Sequence, residues 1–214
     1  MHSRVALDIA AEPGAAGSIL FYNDQRNFGT LTVCTERATL EAKLDSLGPP
    51  WLGGVEGGGL SLEDFAQVVR RQCANRRGAG VPVAKFLMDQ GKTAGIGNYL
   101  LSETLYKARV WPWAACGDLD DAEWAEVHAA AAETIHASYE AQAALAAAEQ
   151  EGVAATRGTF AAMQPRFQLL VYRREVADGL AVRRNEGPHG RAVFWVPQRQ
   201  TRGRPREDKE PQRL

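Results

Sequence analysis

The stretch from Asp118 to Gln150 is alanine-rich and opens on acidic residues. That pattern predicts one long helix whose early carboxylates complement the helix dipole. On either side of it the apolar residues follow different periods, so the rest of the chain divides into helical and extended parts. Before it, Ser61 is placed to cap a helix carrying Glu63 and Asp64 in its first turn and Leu62, Phe65, Val68 and Val69 at helical spacing. A short apolar helix follows Pro82, over Val83–Asp89. Another runs from Asn98 to about Ala108, with Leu101, Leu105 and Ala108 on one face, until Trp111-Pro112-Trp113 stops it.

The flanks are β-like. Ser18 to Thr35 alternates through Ile19, Phe21, Phe28, Leu31 and Val33 around N-D-Q-R-N, which suggests two strands and a turn. A short helix over Thr39–Leu47 ends at Gly48-Pro49-Pro50. Beyond the long helix, Phe167, Leu169, Val171, Leu180, Val182, Val193 and Trp195 fall in short alternating runs broken by Asp178-Gly179 and Gly187-Pro188-His189-Gly190. Such a ribbon is marginal alone and must dock on the helices. Residues 1–17 read as a flexible lead and the segment from 201 to 214 as a basic disordered tail.

Charge is unevenly spread along the chain although the net charge is −1. Asp118 to Glu151 holds nine acidic residues and no lysine or arginine. Arg157 to Arg206 holds eleven arginines against three acids, and Arg70 to Arg109 eight basic residues against two acids. Two basic blocks that fold onto one side would meet a polyanion, with the acidic helix as a solvated face. The three cysteines, Cys34, Cys73 and Cys116, are odd in number and far apart, which suits reduced thiols in an intracellular protein and excludes a cysteine-rich zinc knuckle. No run of eighteen apolar residues is present, so no membrane-spanning helix is expected.

The turn G-K-T-A-G-I-G-N, Gly91 to Asn98, admits two readings. Its glycines permit a tight connector between packed helices. Equally, Gly95 and Gly97 would let a phosphate approach the free amides at the start of the next helix, with Asn98 adding a side-chain donor and Lys92 a point charge.

The longer stretch F-L-M-D-Q-G-K-T-A-G-I-G-N-Y-L-L-S-E-T-L-Y-K-A-R-V-W-P-W, Phe86 to Trp113, resembles the helix–two-turn–helix motif of the formamidopyrimidine-DNA glycosylase and endonuclease VIII family. F-Y-N-D-Q-R-N-F-G-T-L (Phe21 to Leu31) resembles the end of that family's N-terminal β-sandwich. L-D-S-L-G-P-P (Leu44 to Pro50) resembles its interdomain linker, and V-Y-R-R-E…G-R-A-V-F-W-V-P-Q-R-Q (Val171 to Gln200) its C-terminal finger. The resemblance implies a mainly α fold with small β parts. A β-sandwich remnant would cover 18–50, a helix–two-turn–helix DNA-binding domain 51–156, and an antiparallel finger 157–200.

By that resemblance Asn98 and the Gly95–Gly97 turn grip the phosphate beside a lesion, with Lys92 nearby. Arg191 is the finger arginine that holds the same backbone. Arg26 and Phe28 fill the gap left by a flipped nucleotide. Asn27 stands where many relatives carry a second arginine. Val196, Pro197 and Gln198 occupy the place of a second cysteine pair, so the finger is expected to be zincless, with no metal and no cofactor. The family's nucleophile is an N-terminal proline amine beside a glutamate, whereas this chain begins Met1-His2-Ser3. The expectation is therefore a truncated product that binds damaged DNA in base-excision repair without excising bases or nicking abasic sites. The alternative is a catalytically inactive binding relative. The implied partner is double-stranded DNA with damaged or abasic sites, bound by a monomer away from membranes, in the nucleus of a eukaryote or the cytoplasm and nucleoid otherwise. R-G-R-P-R, Arg202 to Arg206, also resembles a minor-groove hook, beside the plainer reading of a solvated basic tail.

Overall fold

A computed structural model describes residues 3–9, 17–23, 31–53, 58–150 and 167–204. The chain forms two compact units, Met1–Leu44 and Asp45–Leu214.

In the first unit, β1 (Ser3–Ile9) pairs antiparallel with β2 (Ser18–Asn23), with Leu7 opposite Leu20 and Ile9 opposite Ser18. This corrects the irregular lead expected over 1–17. Val5, Leu7 and Ile9 alternate with Arg4, Ala6 and Asp8, the period of a strand. The partner of β2 thus lies upstream. Residues 31–35 have no regular structure, and the Phe28 half of the expected second strand lies outside the described residues. Helix α1 spans Arg37–Asp45 and buries none of its side chains.

The second unit is built on five helices and a finger. Ser61 accepts the Asp64 amide and starts α2 (Leu62–Cys73), which sends Phe65 and Val69 inward. A one-turn helix, α3 (Arg76–Ala79), follows an Asn75 cap that the spacing argument missed. Next come α4 (Val83–Met88), α5 (Asn98–Lys107), a 3-10 turn at Cys116–Asp118 and α6 (Asp121–Gln150). Phe65 is the hub of the core. The rings of Trp51, Trp124, His128 and Phe86 surround it at 5.2, 5.8, 5.5 and 6.4 Å. Trp124, Val127, Ala131 and Ile135 form the buried stripe of α6, one residue per turn.

The finger consists of two hairpins. β3 (Val176–Ala177) and β4 (Leu180–Ala181) are joined through Asp178 and Gly179, both at positive φ (49° and 75°), the backbone of a tight hairpin turn. β5 (Arg183–Glu186) pairs with β6 (Ala192–Trp195). The finger shares one compact unit with the helices, as a marginal ribbon requires. Val171, Ala177 and Val196 cluster with Tyr106 of α5. The Glu103 carboxylate, 1% exposed, accepts the amides of Leu170, Val171 and Tyr172 at 2.7, 3.0 and 2.8 Å. Phe167, Leu169 and Val171 are therefore not a strand, because their neighbours' amides serve a helix side chain instead of a ladder.

The expected disordered tail is corrected over Thr201–Arg204. Arg202 donates to the Ala108 carbonyl and forms a two-pronged pair with Glu126, and its backbone bridges Val110. Its guanidinium holds the Glu126 carboxyl below its ordinary pKa. Of the hook-like stretch Arg202 to Arg206, Arg202 is thus engaged with Glu126, while Pro205 and Arg206 lie outside the described residues. Lys107 likewise pairs with Glu133 at 3.0 Å. The acidic face of α6 is thus partly neutralised by the basic blocks and is not wholly solvated.

Candidate nucleic-acid interface

Helix α4 ends at Met88, and the chain reverses through a turn held by two side chains. Asp89 Oδ1 accepts the Gly91 amide at 3.0 Å. Gln90 spans the turn: its Oε1 accepts the Gly95 amide at 2.9 Å and its Nε2 donates to the Ile96 carbonyl at 3.0 Å. Ile96, 1% exposed, plugs the turn into the core.

The two glycines of the turn have different reasons to be there. Gly95 sits at φ +126°, a conformation that side chains rarely adopt, so the fold itself demands it. Its amide donates to Gln90, so Gly95 shapes the turn. Gly97 caps α5 at φ −103°, open to any residue, and a Cβ there would meet nothing within 4 Å. Glycine is a favoured N-cap residue, and at Gly97 it leaves the space ahead of the first amides of α5 unobstructed.

Those amides carry the positive end of the helix dipole and have no intrahelical acceptor. Asn98 is the first residue of α5, and its Nδ2 donates to the carbonyl of Ala192 in β6 at 2.8 Å. Its Oδ1 is buried without a hydrogen-bond partner. One turn later Ser102 Oγ accepts the Phe194 amide, and Tyr106 meets the finger core another turn on. Asn98, Ser102 and Tyr106 stand at i, i+4 and i+8, so one face of α5 binds the finger. Leu101 and Leu105, on the adjacent face, enter the helical core.

Arg191 directly precedes Ala192 and is exposed. Its amide donates to His189 Nδ1 at 3.3 Å, and its carbonyl accepts the Gly187 amide at 2.7 Å. Burial pushes the His189 imidazole below its ordinary pKa against the opposing effect of its backbone hydrogen bond, and the Arg191 charge adds to the depression. The neutral ring is the form that can accept from Arg191.

The structure therefore brings Gly97, Asn98 and the backbone of Arg191 together, with Gly95 as the hinge behind them. Lys92 is exposed on the wall of a basic cavity with Arg71, Arg77 and Lys85. Arg26, Phe28 and the segment from Arg157 to Arg166 lie outside the described residues. Gln90, Ser102, Glu103, Tyr106 and His189 build the site's frame and were not singled out from sequence. Ser102, Glu103 and Tyr106 lie on α5 with partners in the finger, whereas Gln90 closes the turn on Gly95 and Ile96 and His189 sits in the finger loop. Among the described residues no cluster of three His, Cys, Asp or Glu side chains forms a metal centre, and no helix is long and apolar enough to cross a membrane.

The formamidopyrimidine-DNA glycosylase H2TH domain profile matches residues 61–149, which takes in α2 through α6 and the glycine turn. The chain carries an H2TH domain of the formamidopyrimidine-DNA glycosylase type. It is 36% identical over 163 residues to the formamidopyrimidine-DNA glycosylase of Methylobacterium sp. (strain 4-46), covering 74% of this chain and 50% of that one. Against the Heliobacterium modesticaldum glycosylase it is 37% identical over 108 residues, 50% of this chain and 35% of the relative. The chain thus spans about half or less of the length of these relatives. Among solved structures, Lactococcus lactis Fpg in complex with DNA containing an abasic site superposes with a TM-score of 0.57 at 22% identity, covering 87% of this chain and 63% of that one. MutM in complex with DNA containing carbocyclic 8-oxo-G gives 0.58 at 21% identity, covering 85% and 61%. These likenesses establish the fold: a mostly helical H2TH unit with small antiparallel sheets.

Proposed function

We propose that this chain grips the backbone of double-stranded DNA at damaged or abasic sites in base-excision repair. The latch from Asn98 Nδ2 to the Ala192 carbonyl carries this reading. It fixes Arg191 beside the open N-terminus of α5, so that a guanidinium and helix amides converge on one phosphate. Gly97 leaves the approach clear. Gly95 shapes the turn, and Lys92 adds positive charge further along the chain. The H2TH match, and structural neighbours solved with abasic and 8-oxo-G DNA, support the same partner.

The unliganded Asn98 amide is occupied by Ala192, so its first role is to set the distance between helix and finger. Phosphate contact falls to the helix amides and Arg191, with Asn98 joining through the second hydrogen of its Nδ2. The finger needs no metal in this reading, because Glu103, Tyr106 and Gln200 already tie it to the helices. We assign no catalytic role to any described residue. The protein acts as a monomer on intracellular DNA. Fluorescence anisotropy with a tetrahydrofuran abasic-analogue duplex and its undamaged counterpart tests the proposal. Tighter binding to the abasic duplex is expected; equal affinity removes the damage preference, and no binding removes the function.

A further inference from the structure

Behind the glycine turn, the C-terminal end of α2, the α3 turn and the exposed side of α4 border an open cavity of about 360 Å³. Four cationic side chains line it: Arg71, Arg77, Lys85 and Lys92. Among the described residues none of the four has an ion-pair partner. The single carboxylate on the wall, Asp89, is engaged with the Gly91 amide. All four cations are exposed, and they share one concave space where their fields add.

The frame beneath them is rigid. Gln72 Nε2 donates to the Gly78 carbonyl at 2.9 Å, and Asn75 Oδ1 accepts the Gly78 amide at 2.8 Å. A Cβ on Gly78 would lie 2.0 Å from the Gln72 carbonyl oxygen, so only glycine permits this closure of α2 on α3. Arg71 and Arg77 are therefore held across a fixed turn, facing Lys85 and Lys92 from α4 and its exit. A merely solvated basic surface spreads its charges and pairs some of them, as Lys107, Arg199 and Arg202 do elsewhere in this molecule. This cavity concentrates four and, among the described residues, pairs none.

We propose that the cavity is a second anion site that takes a backbone phosphate of the bound nucleic acid, apart from the phosphate held by α5 and Arg191. It rests on the DNA-binding reading above and extends it. Lys92, which leaves the cavity wall six residues before Asn98, connects the two sites along the chain. The contact reads charge and no base, so it strengthens binding to damaged and undamaged duplex alike.

The test compares the wild type, the R71Q/R77Q double variant and R191Q by anisotropy, on abasic-analogue and undamaged duplexes over a salt series. Each phosphate contact contributes about 0.9 to the slope of log affinity against log salt. The proposal expects R71Q/R77Q to lower that slope by about 0.9 and to weaken both duplexes by the same factor, with an unchanged melting temperature. Unchanged affinity and slope for R71Q/R77Q, while R191Q weakens binding, overturns the cavity site alone. Failure of the wild type to bind either duplex overturns this site together with the reading it rests on.

Discussion

Asn98 in the first turn of α5 donates its side-chain amide to the carbonyl of Ala192, ninety-four residues later, at 2.8 Å. This one contact sets the spacing between the helix N-terminus and the finger arginine. Removing it in Asn98→Ala leaves the Ala192 carbonyl short of a donor in a half-buried place, a loss of about 1–2 kcal/mol. We expect a lowered melting temperature and, in hydrogen exchange, faster exchange of the β6 amides than of the α6 amides. Uniform acceleration across both elements would mean that the latch is not specific to the finger.

The two glycines of the turn should separate stability from binding. Gly95→Ala meets only ordinary contacts with Trp51, at 3.7 Å, so its cost comes from the backbone at φ +126° and should be about 2 kcal/mol. Gly97→Ala has neither clash nor strain and should change stability by less than about 1 kcal/mol. Yet its methyl group stands before the α5 amides, and DNA affinity should fall about tenfold, ~1.4 kcal/mol. Urea unfolding and anisotropy on the same two variants check the pair.

Glu103 holds the start of the finger through three backbone amides. Glutamine in its place presents an amide N–H toward donors and loses the charge, so Glu103→Gln should cost about 3 kcal/mol. Exchange of the Leu170, Val171 and Tyr172 amides should accelerate before that of the Phe65 core.

Tyr106 donates to Asp178 at 2.5 Å and lies under the Arg199 guanidinium, 4.5 Å from the ring centre. Burial, followed by that hydrogen bond, pushes its phenol up to about 12. A raised folded-state pKa favours the protonated form, so the stabilisation is complete below the ordinary value near 10 and is lost as pH rises toward about 12. Chemical denaturation at pH 9 and above should show this decline in the wild type and not in Tyr106→Phe.

The helices were legible because their residues speak locally. Ser61 announces a cap, and Leu101 and Leu105 announce one buried face of α5. The other face, Asn98, Ser102 and Tyr106, was visible only as polar spacing, since its partners are a carbonyl, an amide and an aspartate in the finger. Gly95 and Gly97 look alike in sequence, and only their φ angles and surroundings show that one serves the fold and the other leaves a space. Val5, Leu7 and Ile9 were overlooked because a glycine- and proline-bearing stretch follows them. Lys92 was read with the turn, whereas its side chain belongs to the cavity shared with Arg71 and Arg77. Arg202 looked like free basic tail because Glu126, its partner, lies in a segment that reads as solvated surface.

The salt dependence of binding to an abasic-analogue duplex, compared between the wild type and Arg191→Gln, addresses the phosphate grip most directly. Arg191 is exposed, and among the described residues its side chain has no ion-pair partner, so the variant should melt with the wild type. Loss of one phosphate contact predicts weaker binding and a slope reduced by about 0.9. Identical affinity and an identical slope would contradict the convergence of α5 and the finger on a DNA phosphate.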